Sequence, residues 1–548
     1  MRRVISKDEM FITFENRSIA KYSPQLSAFA IKKYGIDGLK KPVNLIPVML
    51  GCYQWVADEF VKIIAAIPDY QFVLFLFTNH EASIKLYTRV LSREDIKSTI
   101  QIDPQKLALN RRILKLALEQ TCDVDYAGFS KATPASVAHY TAILEDLLYL
   151  GTELIGFGQF LAEHRMIKNT LYIDIDKDGQ LSILRTPEIE AIFSKIIDIC
   201  NEDFTMGIFD EDAVPDMKKA LQDCMGIDYD FAGGQIRLIK DELNKKTNNG
   251  EFQTIEPGIL PQNLISKGVS SDNAINFYEG LTLSRANKMS LTESVYKVNA
   301  MERHFFRPIL IHHYKADRRA LIGMEKWAES IVVLATNGFQ WNKAATEWKK
   351  NQCFNKYLDN KSSAHDKHLE DKVEEILDEH TFPYERNLTN FSDGKKAHIN
   401  VDQIQGVGEM DFVWVDTGRK KIIVADCKYN RARYDMNAFS ADYSNFKDQY
   451  EKKLIGKGGW VQTNIGLVCD HFMRKHSGLV IDPSCYTVDF LFVVNTPTFY
   501  MFYGSIKTVS FFRLSAFIEN DYAPPDIIVS KKTGRGQQLK SLSYPYFT

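Results

Sequence analysis

The chain has 548 residues, 45% hydrophobic and 25% charged, which excludes an extensively disordered protein and leaves room for two or three domains. Its formal net charge of −2 excludes a global basic field for a polyanion, though not a local basic groove. None of the eight cysteines forms a CxxC pair; zinc ribbons and thioredoxin-like sites are thereby excluded, and the scatter predicts buried thiols in a reducing compartment.

The opening MRRVISKDEMFITFENR has no apolar run like that of a signal peptide. The most apolar long stretch, Val43 to Ile67, carries Asp58, Glu59 and Lys62, too many charges for a membrane span of about 20 residues. A cytoplasmic protein without membrane association is expected. Residues 1–250 form a helix-rich α+β region whose role the sequence does not disclose. Within it, Leu144 to Leu161 and Ile189 to Cys200 repeat apolar residues three and four apart, the spacing of a helix face. Between them LYIDIDKDGQLSIL predicts two strands around a Lys-Asp-Gly turn. Asp174, Asp176, Asp178 and Gly179 also match the opening of a calcium loop, but the twelfth position, which needs a bidentate glutamate, is Arg185. The hairpin reading is preferred.

Residues 251–355 predict a mixed α/β region. Thr247 to Ser271 is loop-like, with Asn-Asn-Gly and two prolines, Pro257 and Pro261. RPILIHHYK predicts a strand, and IGMEKWAESIVVLATNG a helix that Gly338 ends. His312 and His313, adjacent on that strand, point to opposite faces and cannot easily share a metal, with or without His304. The polar segment around WKKNQCFNKYLDNKSSAHDK sets the last domain boundary near residue 355.

Residues 356–548 carry the chemistry. HDKHLEDKVEEILDEH predicts a helix with Leu369, Val373, Ile376 and Leu377 as its apolar stripe. Met410–Val415 and Ile422–Tyr429 are rich in β-branched and aromatic residues and flank the turn Asp416-Thr417-Gly418, so they predict a hairpin. Alternation puts Asp426 and Lys428 on one face, about 6–7 Å apart along the strand, and the register can bring Asp411 across to them. Two carboxylates and an ammonium at the end of an apolar hairpin are costly to bury without a purpose. A magnesium ion, with manganese as its substitute, would supply one, because it takes one or two carboxylates and keeps several waters. The same acid-x-Lys pattern recurs at Asp95, Asp216, Glu370 and Glu451; the apolar strand Ile422–Ala425 and the upstream Asp411 set Asp426–Lys428 apart. Phe439, Tyr443, Phe446 and Tyr450 recur at helical spacing, and VQTNIGLVCDH and TVDFLFVVN predict two further strands. Arg419, Lys420, Lys421, Arg431 and Arg433 flank the hairpin, and Lys452, Lys453 and Lys457 follow the helix, as a candidate phosphate-binding cluster.

Over residues 366–495 the chain resembles the restriction-endonuclease-like, PD-(D/E)xK nuclease superfamily, whose signature is an acid, a spacer and (Asp/Glu)-x-Lys. Asp411 matches the first acid and Asp426 and Lys428 the remainder, with Met410 where the founding motif has proline. The resemblance implies a multidomain α/β protein: a helix-rich N-terminal region and a C-terminal restriction-endonuclease-like core, a central mixed sheet flanked by helices. It also implies a helix acid at the metal, which points to Glu370 with Glu374 as the alternative, and a glutamine that positions the metal water, which points to Gln449. The implied activity is magnesium-dependent cleavage of DNA, with RNA left open, through Asp411, Asp426, Lys428, Glu370 and Gln449. Lys421, Arg431 and Arg433 are the expected nucleic-acid contacts. ADCKYN also resembles the catalytic strand of nuclease subunits that work with a GTP-driven translocase; the chain has no Walker A signature, so such an NTPase or regulatory subunit would be a separate chain. A restriction or anti-phage effector, acting as a homodimer, is the expected role. The alternatives are a repair or recombination nuclease and an inactive nucleic-acid-binding module.

Overall fold

The computed structural model describes residues 2–6, 9–36, 45–92, 103–176, 178–204, 212–246, 254–315, 317–392, 394, 398–431, 433, 435–520, 526–533 and 536–543. They fall into two compact units. Unit one takes residues 1–161, 172–183 and 210–362, and unit two takes residues 162–171, 184–209 and 363–548. Both are built of helices with small sheets, which makes the protein a multidomain α/β chain. No helix among the described residues is long and apolar enough to cross a membrane.

Unit one is mostly helical, with Asn16–Tyr34, Leu45–Ala65, Tyr70–Ser92 and Pro104–Thr121 as its long N-terminal helices. Leu45–Ala65 shows why the apolar stretch is no membrane span: Val48, Met49, Cys52, Val56 and Phe60 are buried on one side while Asp58 faces solvent. The strand predicted from RPILIHHYK is Ile309–Tyr314. It pairs antiparallel with Asp317–Ile322 and parallel with Asp125–Tyr126 and Thr282–Leu283. His312 is buried and its Nε2 lies 2.9 Å from Thr121 Oγ1, whereas His313 is partly exposed. Met324–Asn337 is the predicted helix, and Gly338 is its C-cap in a right-handed conformation. The Thr247–Ser271 stretch differs from the loop expected of it: Ile259–Ile265 is a helix, with Pro261 in its first turn where no backbone N–H is needed. Residues 247–253 lie outside the described set. The cysteines also depart from expectation. Cys52, Cys122, Cys200, Cys427 and Cys469 are buried and outside any disulfide, but Cys224 and Cys353 are disulfide-bonded. The fold brings them together across 129 residues of sequence: Asn351 donates its side-chain amide to the Cys224 carbonyl at 2.9 Å, joining the start of one helix to the end of another.

The acidic hairpin segment folds as strands Leu171–Ile175 and Leu181–Arg185, with Gly179 at φ +75° in the turn. Arg185, at the would-be calcium position, is bonded through Nε and Nη2 to Glu163 at 2.8–3.0 Å.

Unit two is organised on one five-stranded sheet. Its helices are α1 (Pro187–Phe204), α2 (Gln352–Glu379, belonging to this unit from Ser363), α3 (Met436–Asn445), α4 (Glu451–Thr463) and α5 (Ile465–Lys475). Its strands are β1 (Tyr384–Leu388), β2 (Met410–Asp416), β3 (Lys421–Lys428), β4 (Thr487–Val494) and β5 (Lys507–Ser510), in spatial order β5-β4-β3-β2-β1. β1, β2 and β3 are antiparallel; β3, β4 and β5 are parallel. Alternation divides the side chains cleanly. Phe412, Trp414, Ile423 and Ala425 pack against Leu369, Val373 and Leu377 of α2. Val413, Val415, Ile422 and Val424 lie in the other core, with Phe446, Leu454, Val461, Val468 and Phe472.

The segment VQTNIGLVCDH is not a strand. Val461 lies in the last turn of α4, and Val468, Cys469 and Phe472 are buried along α5. Spacing of three and four residues outweighs the β-branched content here, because the helix can bury that stripe under the sheet. The fifth strand is Lys507–Ser510 instead.

α4 approaches closely where it carries Gly456 and Gly458. A Cβ on Gly456 would meet the Gly406 carbonyl oxygen at 2.3 Å, and one on Gly458 the Phe490 ring at 1.9 Å, while one on Gly459 would meet nothing within 4 Å. Gly456→Ala is therefore expected to destabilise by about 1–2 kcal/mol, a backbone clash outweighing the helix gain. Gly459→Ala should stabilise by up to about 1 kcal/mol. Urea unfolding of the two variants checks the opposed signs.

Candidate active site

The hairpin β2–β3 places the first three candidates. Asp416 Oδ1 accepts the Arg419 amide at 2.8 Å in the turn, and Lys420 takes φ +55°, so the turn tightens and fixes the register. That register pairs Val415 with Ile422, Val413 with Val424 and Phe412 with Ala425. One step further sets Asp411 opposite Asp426, with Lys428 two residues on, all on the face of Val413 and Val424. The Asp411 side chain takes over where the ladder ends: its Oδ2 accepts the Cys427 amide at 2.7 Å. Asp426 is 1% exposed, because β3 is flanked by β2 and β4.

Two ammonium groups hold the carboxylates. Lys428 Nζ lies 3.2 Å from Asp426 Oδ2 and 3.8 Å from Asp411 Oδ2. Lys457 Nζ, from α4, lies 2.5 Å from Asp426 Oδ1 and 3.8 Å from Asp411 Oδ1. Each lysine thus spans one oxygen of each carboxylate. Burial and then the Asp426 charge push the Asp411 carboxyl up to about 6, against the pull of both lysines and the Cys427 N–H. Burial alone would lower Lys428; the charges of Asp426 and Asp411 outweigh it and raise its pKa. Lys428 Nζ also sits 5.5 Å from the centre of the Tyr450 ring.

Lys457 was expected only within a phosphate-binding cluster. It is 8% exposed and bonded within the site. Its place in the apolar rhythm of Leu454 and Val461, and the glycines on either side, are the sequence signals of a lysine aimed inward.

The remaining candidates stand elsewhere. Glu370 is on α2, which packs against the opposite face of the sheet, and its Oε2 accepts from Arg386 Nη2 at 3.0 Å. Arg386 also binds Asp371 and Glu374, each at 2.6 Å, so neither helix acid joins the aspartates. Gln449 is exposed on the π-turn Phe446–Tyr450, next to Tyr450. Lys421 occupies the far end of β3, about 23 Å from Lys428 at 3.3 Å per residue, and pairs with Asp489 at 2.6 Å. Arg433 is bidentate to Asp442 at 2.6 and 2.7 Å, and Arg431 is buried. By contrast, Lys452 and Lys453 are exposed.

Chemically, the cluster offers hard carboxylate oxygens beside fixed positive charge. Among the described residues no three His, Cys, Asp or Glu side chains converge as a metal-binding group. Asp411 and Asp426 supply two carboxylates, which fits a cation that keeps its waters, such as magnesium, rather than one needing a full protein cage. The chain matches no family model, no curated protein and no solved structure.

The raised Asp411 pKa sets a pH dependence. Its folded value of about 6 exceeds the unfolded carboxylate value of about 3.9, so the fold keeps a proton that the unfolded chain releases. This contribution is complete below about pH 4 and lost as pH rises through 6. Asp411→Asn removes it. In chelated buffer the variant should gain on wild type, on the order of 2 kcal/mol, between pH 4 and pH 7; urea unfolding across that range reads the difference.

Proposed function

We propose that unit two is a metal-dependent nuclease domain of the PD-(D/E)xK kind, hydrolysing phosphodiester bonds in DNA. The observation that carries this reading is the side-by-side placement of Asp411 and Asp426 at a hairpin end, with Lys428 beside them. In support, the sheet combines an antiparallel hairpin with parallel strands and has helices on both faces.

Asp411 and Asp426 hold magnesium or manganese. When bound, that cation lowers the pKa of a water and offsets charge on the phosphate. Lys428 donates to the attacking water or a phosphate oxygen and stabilises the developing charge. Its raised pKa keeps it cationic at neutral pH. Lys457 neutralises Asp426 from the helix side. The exposed Lys452 and Lys453 contact the backbone of the nucleic acid. Glu370, held by Arg386, buttresses the sheet and takes no part at the cation, so two carboxylates suffice. Unit one recognises a target or trigger, as in a restriction or anti-phage effector, with a homodimer or a separate NTPase chain as the partners this role calls for.

One observation favours a second reading, nucleic-acid binding without cleavage: the Lys457 ammonium already occupies an oxygen of each aspartate.

Supercoiled, linear and single-stranded DNA, and RNA, incubated with the full chain in magnesium, manganese or chelator, separate the two. Metal-dependent cutting is expected, with Asp426→Ala and Lys428→Ala each reducing it by about 100-fold or more. Retained binding without cutting supports the second reading. A chain that neither cuts nor binds any of these substrates contradicts both.

A further inference from the structure

Unit one holds its own buried group of ionisable side chains, supplied to one place by four separate segments. His80 comes from the helix Tyr70–Ser92, and Arg111 and Lys115 from Pro104–Thr121. His304 precedes the strand Ile309–Tyr314, and Lys326 and Glu329 come from Met324–Asn337.

Three basic side chains surround one carboxylate there, and burial pushes the Lys115 ammonium down to about 7. Lys326 Nζ donates to Glu329 Oε2 at 2.6 Å and to the Phe305 carbonyl at 2.9 Å. Arg111 pairs with the other Glu329 oxygen. Lys115 Nζ rests 4.7 Å from the centre of the Phe305 ring, with no carboxylate at ion-pair distance among the described residues. Their combined charge holds Glu329 well below the usual carboxylate range in spite of its burial. The other nearby acids are engaged. Glu119 binds Arg303 at 2.8–2.9 Å and the His304 amide at 2.8 Å, and Glu81 accepts the amides of Glu325 and Lys326 at 3.0 Å.

The polar capacity left over is specific. His80 and His304 are fully buried, with ring centres 5.3 Å apart. His304 Nδ1–H donates to the Arg307 carbonyl at 2.9 Å, leaving Nε2 as a lone pair without a partner. Neither ring nitrogen of His80 has a partner, nor does Arg111 Nε–H. Burial drives both imidazoles down, His304 to about 3, so they are neutral near pH 7. A buried polar group without a partner is costly, and several close together mark a functional place more often than a packing accident. Two neutral imidazoles alone would suit a metal ion, but the positive charges of Lys326 and Arg111, paired with Glu329 beside them, oppose one.

We propose that unit one binds a small oxyanion of the phosphate class, bearing at least one hydroxyl, among Lys115, Arg111, His80 and His304. Its bare oxygens accept from the Lys115 ammonium, the Arg111 Nε–H and the His80 N–H, charge-assisted bonds for the first two. Its hydroxyl donates to the imidazole lone pair of His304. Lys115, which is partly exposed, is the route in from solvent. The proposal stands independently of the nuclease reading.

Isothermal titration of the full-length chain with inorganic phosphate, at constant ionic strength, tests it, with Lys115→Met as the companion variant because that side chain is not sealed in the core. One-to-one saturable binding with Kd below about 1 mM, weakened roughly tenfold or more in the variant, supports the site. A nucleoside monophosphate in a parallel titration assigns the source: tighter binding than phosphate marks a nucleotide, equal or weaker binding a free oxyanion. No saturable binding of either compound to wild type, or equal binding by a folded Lys115→Met protein, overturns the proposal.

Discussion

Two carboxylates facing each other at the end of a buried ladder repel one another, and burying them together calls for positive charge against them. Much of unit two follows from meeting that demand at the end of β2 and β3. The tight Asp416–Lys421 turn fixes the register that opposes Asp411 and Asp426. The parallel neighbour β4 buries Asp426 from its other side. Lys428 reaches back from the same strand, and Lys457 descends from a helix whose glycines let it approach the sheet. The π-turn Phe446–Tyr450 joins α3 to α4 and leaves Tyr450 beside the Lys428 ammonium. A network in which each lysine spans one oxygen of each aspartate is compact and nearly neutral, and exchanging either ammonium for a divalent cation keeps the charge on the carboxylates compensated.

The hairpin was legible because two independent signals coincide in it: runs of β-branched and aromatic residues over Met410–Asp416 and Lys421–Lys428, and an Asp-Thr-Gly turn that leaves little freedom of register. Once those are granted, the opposition of Asp411 and Asp426 is a matter of counting. The stripe on α2 was legible for the same reason, since Leu369, Val373 and Leu377 form one buried row.

What a stripe does not encode is which face of a sheet it meets. α2 packs on the face away from the aspartates, and Arg386, sixteen residues beyond Glu370, gathers the helix acids there. That capture is a cross-element ion pair with no signature in local spacing. The misread of α5 has a local cause: Val461, Ile465 and Val468 favour a strand by residue type, whereas the buried positions Val468, Cys469 and Phe472 follow the helical period. Lys457 and the Cys224–Cys353 disulfide are joined to partners 31 and 129 residues away, beyond the reach of any motif. Lys421 and Arg433 read as basic flanks, yet each is matched by an acid: Asp489, 68 residues on, for Lys421, and Asp442, on the following helix, for Arg433.

The claim at the centre is that Asp411 and Asp426 form one cation seat. Titrating full-length protein with manganese and following the free ion by its paramagnetic resonance tests it without reference to any substrate. One saturable site in wild type, abolished in both Asp411→Asn and Asp426→Asn while each variant remains folded, is the result this account predicts. Absence of saturable binding in wild type, or binding that survives both substitutions, would contradict it.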